Sequence, residues 1–269
     1  MKTLEMPQAR YRGIIRQAHK FEYSECLEMG PDDNVITDVS QEAAYRRARE
    51  MGGRPSTCAE EWVLFGNNDP YDDLYEWYHT CDRLLIPEGQ KTDYRKTEDN
   101  MQYWLRIFCS GFEEINGALQ EKDGLLVPKK VADIWVPETG LAREVYPFGI
   151  PAKTAPQREH RNGTETHWSF NPKKEEVAVL PDRRWRHHGG RCFRLSARYD
   201  PSYSNSSGGF RLIRGSAPQY SVPQAAQPGA LAKSEGAVTV NVSSTDYKTA
   251  YCQLREGIIK LLRELPEQA

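Results

Sequence analysis

The side chains best suited to bind a ligand lie in two neighbouring stretches, residues 183–191 and 199–207. The first combines arginines with a tryptophan and two histidines, and the second consists of Tyr, Asp, Ser and Asn around one proline. Tyrosine supplies a large contact area at low entropic cost, while Ser and Asn supply adaptable hydrogen bonds, as in antibody binding loops. We therefore predict a ligand-binding surface formed by Trp185, Arg186, His187, Tyr199, Asp200, Tyr203 and Asn205. An ordinary hairpin loop rich in turn-forming residues is the alternative.

The adjacent His187 and His188 suggest a metal or phosphate site, because imidazole binds metals and arginines flank the pair. Neighbouring residues of a strand point to opposite faces, however, so the two rings are poorly placed to chelate one ion. The surrounding basic cluster could also attract nucleic acid, but the chain has a formal net charge of -2 and a pI near 6.3. A protein or a glycan is therefore the expected partner, and nucleic acid is not.

Two apolar segments are predicted to hold the 199–207 stretch as a loop. Before it, Phe193, Leu195 and Ala197 alternate with polar residues, which predicts a half-buried strand with one apolar face and one face that carries arginines. Pro201 ends this strand, and Gly208-Gly209 leads into a second apolar run over residues 210–213. The loop should therefore be held at both ends by strands.

Residues 38–65 predict two short helices joined by a tight turn. Ser40 is a suitable N-cap for the first helix, and Gly52-Gly53 is suited to end it. Residues 55–57 then lead into a second helix around Trp62.

Together these stretches resemble the formylglycine-generating-enzyme or sulfatase-modifying-factor family, a branch of the C-type-lectin fold. The first motif of that family is matched by Val39, Ser40, Ala44, Gly53, Arg54, Pro55, Thr57, Ala59, Glu60, Glu61 and Trp62. The second is matched by Arg194, Ala197, Arg198, Gly209, Phe210 and Arg211. The resemblance covers about residues 36–214 and implies an α+β, C-type-lectin-like domain with little regular structure.

The resemblance also implies where cofactors of its catalytic members would bind. In the oxidases two cysteines hold copper just before the Arg-x-x-x-Arg strand, and the corresponding positions here are Trp185 and Gly190. The iron-dependent relatives use a His-x-x-x-His-x-Glu helix, a spacing that this sequence does not contain. We therefore expect a non-catalytic protein with no catalytic residues and no transition metal. The alternative is an oxidoreductase with rearranged ligands, using Cys192 with Cys58 or Cys109.

A structural calcium ion remains open, because lectin-type folds use acidic loops for this purpose. The acidic residues concerned are Asp69, Asp72, Asp73, Glu76 and Asp82, for which solvated turns are the alternative. Aromatic side chains between residues 71 and 104 either line a ligand groove or form core.

Non-enzymatic members of the family are displayed targets of diversity-generating retroelements in bacteria and their phages. There, mutagenesis of Asn-type codons yields Asn, Tyr, Ser and Asp at exposed positions, and residues 199–207 have such a composition. The resemblance thus implies a ligand- or receptor-binding protein of a phage or retroelement. A structural subunit of a larger, virion-like assembly is a further alternative.

The predicted domain plan has four parts. Residues 1–35 form an N-terminal helical extension, because Tyr11, Ile14, Ile15, Ala18 and Phe21 recur at helical spacing. Residues 36–214 form the C-type-lectin-like domain, 215–244 a linker or strap, and 245–269 a C-terminal amphipathic helix. The two terminal helices could fold back on the domain, pair in a homo-oligomer or dock on a partner.

Composition places further limits on the class of protein. A mean hydropathy of -0.74 and the lack of any long apolar run exclude a predicted membrane span. The N-terminus has no apolar signal-peptide core, so we expect a cytoplasmic or virion-associated location. The six cysteines are dispersed, with no Cys-x-x-Cys pair, and are predicted to be reduced and mostly buried.

Overall fold

A computed structural model describes residues 1–11, 14–24, 36–67, 77–90, 94–96, 102–142, 166–182, 186–187, 190–191, 193–206 and 208–222. Residues 1–223 form one compact unit. The predicted C-terminal helix over 245–269 and residues 223–244 of the predicted linker lie outside the described residues. No helix in the described ranges is long and apolar enough to cross a bilayer.

Two helices and twenty-three strands follow one another along the described residues. In chain order they are β1 (Lys2–Met6), β2 (Ala9–Tyr11), β3 (Ile14–Arg16), β4 (His19–Tyr23), α1 (Gln41–Glu50), β5 (Arg54–Pro55), α2 (Cys58–Asn67), β6 (Trp77–Tyr78), β7 (Asp82–Leu85), β8 (Tyr94–Lys96), β9 (Gln102–Phe112), β10 (Glu114–Ile115), β11 (Ala118–Leu119), β12 (Glu121–Lys122), β13 (Leu125–Leu126), β14 (Pro128–Pro137), β15 (Thr139–Ala142), β16 (Thr166–Phe170), β17 (Glu176–Asp182), β18 (Arg186–His187), β19 (Gly190–Arg191), β20 (Arg194–Tyr199), β21 (Gly208–Gly209), β22 (Leu212–Arg214) and β23 (Tyr220–Ser221). The chain is thus an α+β protein in which strands predominate.

The largest element is a ten-stranded sheet. Its main path runs β14-β9-β7-β17-β20-β16-β15, with β8 also paired to β9, and β6 joining β17 to β21. All pairs are antiparallel except β16 with β20 and β6 with β21. Its buried side chains include Phe108, Val177 and Leu195, which share one apolar core with Trp62 and Leu64 of α2.

The N-terminal segment forms strands, so the predicted helical extension over 1–35 is wrong for its described residues. β1 pairs with β4 and β4 pairs with β22, which places residues 2–6 and 19–23 in a four-stranded sheet of order β1-β4-β22-β5. β2 and β3 belong to a separate three-stranded sheet of order β2-β3-β23. Phe21 and Tyr23 are buried while Lys20 and Glu22 are exposed, a period of two that packs β-forming aromatic residues on one face. Because β22 and β5 belong to the predicted 36–214 domain, residue 36 is not a domain boundary.

The predicted helix pair is confirmed. At the start of α1, the Ala43 N–H donates to Ser40 Oγ at 3.2 Å, which is the expected N-cap. At its end, Gly52 has a φ of 76°, and the Gly53 N–H donates to the Ala48 carbonyl at 2.9 Å. In front of α2, the Cys58 N–H donates to Asp82 Oδ2 at 2.8 Å, so a carboxylate from β7 caps the second helix.

Two small hairpins between β9 and β14 form a double hairpin, defined here as residues 113–127. Their turns, Asn116-Gly117 and Asp123-Gly124, have positive φ at both residues, as two-residue hairpin turns require. Their stems meet in a ring of backbone hydrogen bonds of 2.8 to 2.9 Å: Glu113 donates to Val127, Val127 to Gln120, and Gln120 to Glu113. The sequence prediction did not include this element, although Asn-Gly and Asp-Gly are strong hairpin signals.

Buried ion pairs join α2 to the four-stranded sheet. Glu60 Oε1 accepts from Arg54 Nη2 at 2.6 Å, and its Oε2 accepts from Arg54 Nη1 and from the Thr57 N–H, both at 2.8 Å. His19 Nε2 on β4 lies 3.0 Å from Oε1. Burial alone would raise the pKa of Glu60, but the charge and hydrogen bonds of Arg54, together with hydrogen bonds from His19 and the Thr57 N–H, lower this pKa to about 2.

The segment after β22, here called the strap, opens the predicted linker or strap over 215–244, of which residues 215–222 are described. The Ser216 carbonyl accepts from Arg54 Nη2 at 3.1 Å, and β23 pairs with β3. Residues 215–221 therefore belong to the folded unit, and the predicted boundary at 214 is too early.

We expect Glu60→Gln to lower the free energy of unfolding by about 3 to 5 kcal/mol, because it leaves the buried Arg54 guanidinium without its counter-charge. Urea unfolding at neutral pH measures this. Glu121→Gln, which breaks an exposed pair with Arg46, serves as control and should cost less than about 1 kcal/mol. Since the pKa of Glu60 falls from 4.5 to about 2 on folding, the stabilisation is fully present above pH 4.5 and is lost as the pH falls toward 2. Equal stability of the two variants would contradict the prediction.

Candidate functional site

The strand that leads into the predicted binding loop lies inside the ten-stranded sheet. β20 pairs with β17 on one side and with β16 on the other. Leu195 and Ala197 are buried as predicted, but Ser196 is buried too, so the predicted exposed face is covered here. Of the two arginines of β20, Arg198 is exposed, and the side chain of Arg194 is not described. The loop therefore begins from a rigid strand.

Backbone hydrogen bonds hold the loop, residues 200–206, at several points. The Tyr203 N–H donates to the Asp200 carbonyl, and the Gly208 N–H donates to the Asn205 carbonyl, both at 2.9 Å. From outside the loop, the N–H of Gln41, the first residue of α1, donates to the Pro201 carbonyl at 3.0 Å. Because the first amides of a helix have no partner within it, the N-terminus of α1 is well suited to hold the loop.

An aromatic stack supports the loop from one side. The rings of Tyr199 and Tyr203 are stacked with centroids 4.1 Å apart, and Trp77 of β6 meets Tyr199 edge-on at 6.1 Å. Asn205 Nδ2 donates to the Tyr203 hydroxyl at 2.7 Å. Three of the predicted binding residues thus contact one another and fix the shape of the loop.

A charged contact fixes the loop from a second side. Lys174 Nζ forms an ion pair with Asp200 Oδ2, a contact that the sequence prediction missed. The turn that carries Lys174 is held by the buried Arg106, whose guanidinium donates to the carbonyls of Lys174 at 2.7 Å and Pro172 at 2.8 Å. The charge of Asp200 is therefore partly compensated in a side chain that stays exposed.

The structure brings together four of the seven predicted binding residues, Tyr199, Asp200, Tyr203 and Asn205. Exposed and partly buried side chains alternate along the loop: Ser202, Ser204 and Ser206 are exposed, whereas Tyr203 and Asn205 are partly buried. Arg186 and His187 lie in β18, which pairs with β19, and their side chains are not described. Trp185 lies outside the described residues, so it stays a prediction.

The thiols proposed for a metal site are buried. Cys58 lies in the core with its Sγ 3.5 Å from Thr80 Oγ1, and burial raises the pKa of its thiol well above the usual value. Burial also raises the pKa of Cys109 to about 12. A raised thiol pKa disfavours the thiolate that binds metal. Cys192 lies outside the described residues.

Of the acidic residues proposed for calcium, only Asp82 lies within the described residues. Asp82 is fully buried rather than in a solvated turn, and accepts from Ser110 Oγ at 2.7 Å as well as from the Cys58 N–H. Asp69, Asp72, Asp73 and Glu76 lie outside the described residues. In the part of the chain that the structure describes, no group of three or more His, Cys, Asp or Glu side chains is placed to hold a metal ion.

Burial of Asp82 generates a pH dependence of stability, because it raises the pKa of this carboxyl from 3.8 to about 6. The folded state then binds more protons than the unfolded state between these values, so the Asp82 contribution to stability falls as the pH rises. We therefore compare the free energy of unfolding of the wild type with that of Asp82→Asn. The difference, wild type minus variant, should decrease by about 3 kcal/mol as the pH rises from below 3.8 to above 6.

His79→Gln is the matched control, with the opposite sign. Burial lowers the pKa of His79 from 6.5 to about 4, so the unfolded state binds more protons between these values. The unfolding free energy of the wild type minus that of His79→Gln should therefore rise with pH in this range. Urea titrations at half-unit pH steps measure both differences, and a flat or reversed Asp82 difference would be inconsistent with a buried, mainly protonated carboxyl below pH 6.

Comparison with known proteins finds no relative for this arrangement. No protein-family model, no curated protein and no solved structure matches the chain.

Proposed function

We propose that this chain is a non-catalytic binding protein that presents the 200–206 loop to a protein or glycan ligand. The observation that carries the proposal is the stack of Trp77, Tyr199 and Tyr203 at a loop whose serines are exposed. Tyrosine and tryptophan dominate the energetics of recognition surfaces, and serine hydroxyls adapt to varied partners.

The loop is pre-organised for binding. Its backbone is fixed by α1 through Gln41, and its aromatic base by Trp77. A loop that is already ordered loses little conformational entropy when a ligand binds, so more of the contact energy remains as affinity. The proposed surface therefore consists of Tyr199, Asp200, Tyr203 and Asn205, together with the side chains of Trp185, Arg186 and His187.

We further propose that the domain is a C-type-lectin-like one of the formylglycine-generating-enzyme type. The two motifs that carry the resemblance contact each other, which supports the proposal. Arg211 Nε of the second motif donates to Glu61 Oε1 of the first at 3.2 Å, and β22 pairs with β5. Arg54 and Glu60 of the first motif form a buried pair.

The composition of the loop also supports the narrower proposal of a phage or retroelement protein whose loop is diversified. The core residues next to the loop are Leu195, Ala197 and Phe210, which are buried. Substitutions at the exposed loop positions would therefore leave the core intact. The competing proposal of an oxidoreductase with Cys58 or Cys109 as ligand gains no support from the described residues, because both thiols are buried with raised pKa values.

Binding to printed arrays of defined glycans and of purified surface proteins tests the proposed function. We expect the triple substitution Tyr199→Ala, Tyr203→Ala and Asn205→Ala to weaken binding of any ligand captured by the wild type at least tenfold, which corresponds to about 1.4 kcal/mol. Tyr94→Ala is the control, because Tyr94 lies outside the loop, is exposed, and packs beside a tryptophan, Trp104, with ring centroids 5.5 Å apart.

Circular dichroism and the Tm of each variant establish that the domain is folded. Equal affinity of the triple variant and the wild type would refute the proposal, as would the absence of wild-type binding on both arrays. A loss in the Tyr94 variant alone would place the binding surface on β8 instead.

A further inference from the structure

A cleft of about 670 Å³ opens between α1, the β9 and β14 pair, and the strap over residues 215–220. This volume lies within the range of small-molecule sites. Its lining comprises Tyr45, Arg49, residues 52–54, residues 110–114, residues 129–131 and residues 215–220. None of these belongs to the 200–206 loop, so the cleft is a second candidate site, independent of the proposed function.

Two hydrogen-bond donors in the wall of the cleft, the Tyr45 hydroxyl and Arg54 Nε, have no partner among the described residues. The Tyr45 hydroxyl lies 3.7 Å from the position that a Cβ on Gly111 would occupy, and no described residue accepts its proton. Arg54 is buried, and its Nε is likewise unpaired among the described residues. The buried hydroxyl of Tyr220 makes no regular hydrogen bond within the described ranges, although the Ser110 side chain interacts with it.

A further buried guanidinium belongs to the residue opposite Tyr220 on the neighbouring strand. This residue, Arg16, is the direct partner of Tyr220 in the β3 and β23 pairing and is only 2 % exposed. Its Nη2 donates to the Pro7 carbonyl at 3.0 Å, whereas Nε and Nη1 find no acceptor in the described part of the chain. A buried cation with unused donors raises the affinity of the neighbouring cleft for negative charge.

The charged residues of the rim are mostly engaged. Arg49 pairs with Glu114 at 3.3 Å, and Lys130 pairs with Asp133 at 3.2 Å. Lys129 is exposed and forms no ion pair with a described residue, and the same is true of the partly buried Glu113. Within the described ranges, the rim thus offers one cation without an ion pair, Lys129, and one opposing carboxylate, Glu113.

We propose that this cleft binds a small ligand that carries an oxyanion, a carboxylate or a phosphate. Its oxygens accept from the Tyr45 hydroxyl and from Lys129 Nζ, and its charge is stabilised by the buried Arg16, since Glu60 already neutralises Arg54. An excess of donors selects a group made of acceptors, because unpaired buried donors gain most from an ionised oxygen.

Isothermal titration at low ionic strength, with inorganic phosphate and with succinate as separate probes, tests the proposal. We expect saturable binding of at least one probe by the full chain, with a rise in Tm that grows with probe concentration. Binding of phosphate alone would identify a phosphate site, and binding of succinate alone a carboxylate site.

Four substitutions tie the binding to the cleft. Tyr45→Phe keeps the ring against Phe112 but removes the donor, and should weaken binding roughly tenfold, as should Lys129→Gln. Glu113→Gln should tighten binding several-fold, because it removes the opposing carboxylate. Lys122→Gln on β12, outside the cleft, is the charge control and should leave the Kd unchanged in the same buffer.

The signs of these effects make the proposal falsifiable even if one variant folds poorly. Failure of both probes to bind would overturn it. Equal affinity of the wild type, Tyr45→Phe and Lys129→Gln would also overturn it, since the anion would then be held elsewhere. The triple alanine variant of the loop should still bind phosphate or succinate, because the cleft does not include the loop. The two proposals can therefore fail separately.

Discussion

Two adjacent buried glutamates on α2 hold the structure together. Glu60 and Glu61 are both fully buried, and each meets an arginine from a different part of the chain. Glu60 binds Arg54 and His19, while Glu61 binds Arg211, whose guanidinium also donates to the Ser24 carbonyl and lies over the Tyr78 ring. The N-terminal strands, the turn before α2 and the segment that follows the loop therefore converge on one turn of helix. Removing any one charge would leave its partner buried and uncompensated.

This arrangement explains how an exposed loop can be rigid. The segment that returns from the loop contains Phe210 and Arg211, both fully buried. At the other end β20 lies between two neighbouring strands. The loop is thus fixed at both ends by the core and supported in the middle by Trp77 and α1, so the conformational freedom of its backbone is already spent on folding.

Local signals in the sequence predicted the local structure well. Ser40 and Gly52-Gly53 delimit α1 because capping depends on residues within a few positions of each other. The N-terminal segment was predicted as a helix because Ile14, Ala18 and Phe21 fit a period of 3.6. The same segment contains buried residues in alternation, and only pairing with the distant β22 decides between the two periods. The fold class was predictable as α+β, but not the predominance of strands.

The candidate binding loop could be predicted where its members are close in sequence, as Tyr199, Tyr203 and Asn205 are. Trp77 and Lys174 could not, because strand pairing and the Arg106 contacts bring them to the loop. The cleft was not predictable for the same reason: Tyr45, Lys129 and Tyr220 lie on three separate segments. Short-range sequence patterns therefore predict the secondary structure of a segment, while pairing between distant strands determines which residues it contacts.

The ring of hydrogen bonds in the double hairpin has a consequence for folding kinetics. β9 and β14 make one of the longest pairings in the molecule, and the chain between them is residues 113–127. Each hairpin closes over a two-residue turn, so both stems can form locally within microseconds. Once they have formed, only Glu113, Gln120 and Val127 separate the two long strands. The entropy of loop closure is then that of a very short connection, which makes β9 and β14 a suitable nucleus on which the sequence-distant strands assemble.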